Sequence, residues 1–159
     1  MFKILLTGAT GFVGSNILKE LSQNNQIFIL IRKKPTQKKF FHKNIIFVKF
    51  IDYEELNKKL KKLKVDIVIH CATHYIKNHN YKDIKKLINA NILLGNIILE
   101  NLLEMEVKKF IIFSTVWQDP HPKKNDFQNL NAAYKISFNK IVNFYITNQK
   151  KLEFFEIIL

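Results

Sequence analysis

An α/β fold, a doubly wound parallel sheet with helices on both faces, is predicted for this 159-residue chain by three observations. Apolar runs of strand length alternate with longer segments of helical period, the pattern of successive βαβ units. The runs are rich in isoleucine, valine and phenylalanine, which suits strands buried on both faces. Three of the chain's four glycines fall in one stretch, Thr7-Gly8-Ala9-Thr10-Gly11-Phe12-Val13-Gly14, directly after the apolar run Phe2 to Leu6.

The first strand is expected over Lys3 to Thr7 and the first helix over Phe12 to Ser22, with the glycines at the turn between them. Gly8 permits a tight turn, Gly11 lets backbone approach a ligand without a Cβ in the way, and Gly14 lets the helix pack closely on the strand. The unpaired N–H groups and positive dipole end of that helix favour phosphate, so the device suits a dinucleotide pyrophosphate. Gly8, Thr10, Gly11, Phe12, Val13 and Gly14 are therefore cofactor-binding candidates. The fold expected on these grounds is a Rossmann-type, three-layer α/β/α sheet.

Further strands follow at Ile27 to Ile31, Ile45 to Phe50, Val65 to His70, Lys109 to Phe113 and Leu152 to Leu159. Helices are expected over Glu54 to Lys62, with Asp52 as its cap, and over Tyr81 to Met105 and Asn131 to Thr147. The connection from Val116 to Asn129 carries Pro120, Pro122, Lys123 and Lys124 and leaves the carboxyl end of the fifth strand, where open α/β sheets hold ligands. No repeat, low-complexity linker or composition shift marks a second domain, so residues 1–159 are expected to form one dinucleotide-binding domain.

Composition narrows the classes. With 47% hydrophobic residues the chain can bury a sizeable core. No run approaches the roughly 20 apolar residues of a membrane span, and the N-terminal run is too short for a secretory segment, so a cytoplasmic protein is expected. The single cysteine, Cys71, fits a reducing compartment. A net charge of +13 raises the question of nucleic acid. The basic residues, however, lie in two segments, Lys33 to Lys43 and Lys58 to Lys64, that read as solvated faces, and nucleic-acid binding is disfavoured. His42, His70, His74, His79 and His121 form no Cys/His set with ligand spacing, so no metal site is expected.

Beyond these local readings, the chain resembles the extended short-chain dehydrogenase/reductase family, specifically its NAD(P)-dependent nucleotide-sugar epimerases, dehydratases and 4-ketoreductases. The stretch from Thr7 to Gly14 is similar to that family's glycine motif, and Asp66-Ile67-Val68-Ile69-His70-Cys71-Ala72-Thr73 to its fourth-strand segment beside the cofactor. Asn91 and the stretch to Glu100 resemble its central helix, and Asp52-Tyr53 the pair that contacts adenine. The resemblance thus implies cofactor contacts at Cys71, Ala72, Thr73, Asn91, Asp52 and Tyr53. Where NAD-preferring members carry an acidic residue after the second strand, this chain has Arg32-Lys33-Lys34. Arg32 and Lys33 suit a 2′-phosphate, which implies NADP, with NAD as the alternative.

For catalysis the resemblance implies a hydroxyl after the fifth strand and a Tyr-x-x-x-Lys pair on the next helix. Ser114-Thr115-Val116-Trp117-Gln118 offers Thr115, with Ser114 in reserve, to orient the sugar oxygen. Lys135 would hold the nicotinamide ribose. Asn131 stands four residues before it, where the tyrosine belongs, and Tyr134 stands beside the lysine. Positions four apart share a helix face, whereas adjacent ones point about 100° apart. Asn131 can donate or accept hydrogen bonds but cannot perform tyrosine's proton transfer, so turnover is expected to be strongly reduced or absent unless the helix is locally re-registered; the missing proton carrier would have to be Tyr134, or substrate and water.

Members of that family are about twice this length, and the resemblance therefore also implies that the portion holding the nucleotide sugar is missing, as in a truncated, split or decayed gene product. The expected activity is hydride transfer on a nucleotide-linked sugar in surface-polysaccharide sugar synthesis. The alternative is a catalytically inactive dinucleotide-binding module. The resemblance further implies a homodimer through the Tyr81–Met105 and Asn131–Thr147 helices, with burial against the chain's own sheet equally open.

Overall fold

The computed structural model describes residues 1–33, 35–37, 40–116, 129–148 and 152–159. Lys34, Trp117, Gln118 and most of the expected loop before Asn129, with its prolines and lysines, lie outside them. Six parallel strands form one sheet in the order β3-β2-β1-β4-β5-β6. They are β1 (Lys3–Thr7), β2 (Gln26–Ile31), β3 (Ile45–Lys49), β4 (Ile67–His70), β5 (Lys109–Ser114) and β6 (Glu153–Ile158). The order reverses between β1 and β4. That reversal opens a crevice at the carboxyl ends of these two strands, which is where such sheets bind ligands.

The sheet separates two cores. On one face α1 (Phe12–Leu21) and the buried Phe40, from the irregular β2–β3 connection, cover Ile4, Leu6, Ile27 and Ile29. On the other face α2 (Tyr53–Leu60), α4 (Leu94–Glu100) and α5 (Leu130–Asn148) cover Leu5, Val68, Phe110 and Ile112. Successive residues of β1 thus serve opposite cores, as the period of two requires. Asp52 caps α2 as expected, its Oδ1 accepting from the Glu55 N–H at 2.8 Å.

The helix expected over Tyr81–Met105 differs from the single helix that periodicity predicts. It runs as α3 (Tyr81–Ile88), a π turn (Asn89–Leu93) and α4, and ends at Glu100. Asn101 and Glu106 shape the turns that follow it. Asn101, fully buried, turns its carboxamide back to Ile97 O at 2.8 Å and across to Asn57 Oδ1 at 2.7 Å, and Glu106 takes a left-handed φ of 62°. The turn is closed by the Val107 N–H donating to Leu102 O at 3.0 Å.

Both helices expected at a dimer interface also pack on their own sheet. Leu94, Gly95, Ile98 and Leu99 of α4 and Ala132, Phe138 and Val142 of α5 are buried within the chain. Gly95 permits the helices to touch, because a Cβ there would lie 2.3 Å from Phe138 Cζ.

Candidate functional site

The β1–α1 turn forms one wall of a cleft of about 430 Å³ at the crevice. Gly8 has φ 68°, and a Cβ on it would lie 2.6 Å from Ala72 N. A Cβ on Gly14 would lie 2.3 Å from Gly8 O, so the start of α1 rests directly on the turn. Gly11 is different. Among the described residues the only close neighbour of a Cβ there would be Gly8 O, at 3.3 Å, and Gly11 lines the cleft. Gly11 is also the N-cap of α1 and provides no side-chain cap, which leaves the first-turn N–H groups for an anion. The residues thus fit a pyrophosphate.

Ten of the sequence candidates line this cleft: Gly8, Thr10, Gly11, Phe12, Val13 and Gly14 from the turn, Arg32 from the end of β2, and Cys71, Ala72 and Thr73 after β4. Thr7, Leu30, Phe50, Ala90 and Leu94 line it as well; Thr7 and Leu94 lie inside the motif stretches without being site candidates, and Leu30, Phe50 and Ala90 belong to no motif. Leu30 and Phe50 were legible only as strand residues, because their proximity to the turn depends on the parallel register of β1, β2 and β3.

Beneath the cleft, Thr7 joins β1 to β4. Its Oγ1 accepts the Ala72 N–H at 3.0 Å and shares a hydrogen bond with His70 Nδ1 at 2.9 Å. His70 is 4% exposed. Burial, assisted by the nearby Lys135 charge, lowers its pKa to about 3, so the imidazole is neutral. Burial likewise pushes the Cys71 thiol up to about 12, although Lys135 acts in the opposite direction. Cys71 is therefore a protonated, poorly nucleophilic wall residue.

The loop after β4 is clamped by Asn91, in the π turn. Its Oδ1 accepts from Thr73 Oγ1 at 2.9 Å and the His74 N–H at 2.8 Å, and its Nδ2 donates to His74 O at 2.9 Å. Thr73 Oγ1 also reaches Asn131 Oδ1 at 3.4 Å, so the residue at the expected tyrosine position does meet the cleft wall. Lys135 does not line the main cleft. With Asn91 it lines a small adjoining void of about 10 Å³ that shares Ala72 with the cleft, and its ammonium donates to Phe113 O. Burial lowers the Lys135 pKa, with Cys71 and Glu156 acting against the shift.

The remaining catalytic candidates diverge. Ser114 is buried, its Oγ accepting from Asn139 Nδ2 at 3.5 Å, which gives the reserve hydroxyl a place inside the fold. Thr115 is half-buried just past β5. Tyr134 is half-buried on α5 one position before Lys135.

At the other end of the cleft, Arg32 is exposed but held. Its Nη2 donates to Tyr53 Oη at 2.9 Å, and the guanidinium carbon lies 5.8 Å from both the Phe50 and Tyr53 ring centroids. Lys33 is exposed, and Asp52 is occupied with capping α2. Several lysines of the second basic segment face acids, as in Lys58–Glu54, Lys59–Glu55 and Lys64–Glu106. Among the described residues no three His, Cys, Asp or Glu side chains gather to hold a metal, and no helix is long and apolar enough to cross a membrane.

Comparison with known proteins gives the same direction. The profile of the NAD dependent epimerase/dehydratase family matches residues 4–152. A dTDP-D-glucose 4,6-dehydratase of Dictyostelium discoideum is 33% identical, over 89% of this chain and 36% of that protein. Among solved structures, the UDP-Glc/GlcNAc 4-epimerase of Campylobacter jejuni superposes with a TM-score of 0.82 at 17% identity, over 99% of this chain and 53% of that one. UDP-glucuronic acid 4-epimerase of Bacillus cereus, solved with NAD, superposes with a TM-score of 0.77 at 24% identity, over 97% of this chain and 54% of that one. At those identities the structural likeness is one of fold. The chain spans about a third to a half of the length of these proteins.

Proposed function

Since this chain belongs to the NAD dependent epimerase/dehydratase family, we propose that it is the dinucleotide-binding part of a nucleotide-sugar epimerase, dehydratase or 4-ketoreductase that prefers NADP. The observation that carries this reading is the convergence of the glycine turn, Arg32 and the Cys71–Thr73 segment on one cleft. When bound, the nicotinamide would exchange a hydride with a sugar carbon. The α1 N-terminus would hold the pyrophosphate, and Arg32 would pair with a 2′-phosphate through charge-assisted bonds. Lys135, anchored on Phe113 O, would hold the nicotinamide ribose, and Thr115 would orient the sugar oxygen. The names of the relatives support a nucleotide-linked sugar as substrate; surface-polysaccharide sugar synthesis is part of the same proposal as its setting. A homodimer and a cytoplasmic location belong to the same proposal.

A second reading is favoured by Asn131. A carboxamide at the tyrosine position, hydrogen-bonded to Thr73, supports cofactor binding without turnover.

Titration of the purified chain with NADPH and NADH, with Gly11→Asp as control, tests the binding step. Tight NADPH binding that the control abolishes is expected; binding of neither nucleotide would overturn the proposal. A nucleotide-sugar panel then separates the two readings. Conversion lost in Lys135→Ala would establish the enzyme, and conversion seen only after Asn131→Tyr would establish the inactive module.

A further inference from the structure

The hydroxyl of Tyr53 sits between two walls of the cleft. Asn89 O, at the start of the π turn, accepts the Leu94 N–H that closes that turn and also accepts from Tyr53 Oη at 3.1 Å. A phenol has one proton to give. With that proton committed to Asn89 O, the oxygen presents only lone pairs elsewhere, and one of them receives Arg32 Nη2 at 2.9 Å. The Arg32–Tyr53–Asn89 chain is therefore directional. It ties the end of β2, the start of α2 and the π turn together at the rim of the cleft.

The chain of bonds explains how an exposed arginine keeps a fixed place. A free guanidinium must surrender side-chain rotamers when it grips an anion, which weakens binding, whereas one already held loses less. The Phe50 and Tyr53 rings, both 5.8 Å from the guanidinium carbon, fix its position further. Among the described residues one donor of the fork is used, on Tyr53, and the others have no hydrogen-bond partner.

We propose that Tyr53 is a positioning residue for cofactor selection: its hydroxyl holds Arg32 so that the cleft favours an adenosine carrying a 2′-phosphate. The inference rests on the NADP reading above and assigns Tyr53 a role other than contact with adenine.

The test uses adenosine 2′,5′-bisphosphate and 5′-AMP, which sample this end of the cleft without chemistry, with affinities measured by calorimetry on the full chain. The wild type is expected to prefer the bisphosphate, and Arg32→Ala to abolish that preference. Tyr53→Phe keeps the ring and removes the bond; it should reduce the preference by about tenfold, the scale of one hydrogen bond to a charged group, by weakening the bisphosphate alone. Arg32→Lys, an exposed change that spares packing, should reduce it similarly because the fork is lost. Adding Tyr53→Phe to Arg32→Ala should change nothing more.

An unaltered preference in Tyr53→Phe, equal weakening of both ligands, or full preference in Arg32→Lys would overturn the role of Tyr53 while leaving the NADP reading intact. A wild type without preference, unaffected by Arg32→Ala, would instead overturn the NADP reading and this inference with it.

Discussion

At the scale of single residues, the glycines of the β1–α1 turn do separate jobs. Gly14→Ala forces a Cβ to within 2.3 Å of Gly8 O, and backbone cannot yield as a side-chain tip can. We expect that change to cost about 1–3 kcal/mol, as overpacking does, and to abolish nucleotide binding. Gly11→Ala, whose Cβ would enter the cleft, should leave the melting temperature nearly unchanged and weaken NADPH about tenfold or more. Thermal melts and titrations of both variants check the contrast; equal loss of stability in the two would refute it. His70 provides a pH test. Its folded pKa, about 3, lies below the 6.5 of the unfolded chain, so between these values the unfolded state binds the extra proton. Its contribution is present above pH 6.5 and is lost as pH falls toward 3, at up to about 1.4 kcal/mol per unit. Urea midpoints measured across that window should decline less steeply in His70→Gln.

At the scale of elements, the π turn deserves the closest test because it places Asn91 on the loop after β4. Asn91→Ala removes three hydrogen bonds at Thr73 and His74. It should destabilise the chain by about 1–3 kcal/mol and weaken nucleotide binding, because the loop forms part of the cleft wall. Calorimetry and chemical denaturation read the two effects. The contact of α4 with α5 gives a second prediction. Gly95→Ala drives a Cβ into the ring of the buried Phe138, and Phe138→Leu in the same chain should recover part of the lost stability, giving a positive coupling in a double-mutant cycle. The strands were legible to within two residues: β1, β2 and β4, largely buried, read as apolar runs, whereas β6, largely exposed, was legible through its phenylalanine and isoleucine content. The π turn was not, since it adds one residue to a turn without altering the apolar pattern that periodicity measures.

At the scale of the whole molecule, the +13 charge favours approach of any anion, while the bound state depends on a few fixed groups. NADPH affinity should therefore fall as salt rises, and fall more steeply than that of NADH, because the 2′-phosphate adds charge near Arg32. Parallel salt titrations would show the difference in slope; identical slopes would place the 2′ position away from Arg32. The sequence by itself determined the strands, the glycine turn and the cap at Asp52, because each depends on neighbours a few residues away and on periodicities set by backbone geometry. It also exposed the absence of a tyrosine four residues before Lys135. Only the tertiary structure decided that Leu30 and Phe50 face the same cleft as Gly11, that Lys135 rests on Phe113 O, and that Tyr53 holds Arg32. Those relations join residues far apart in the chain, and they arise from the order in which parallel strands pair, a property of the assembled sheet that no local pattern encodes.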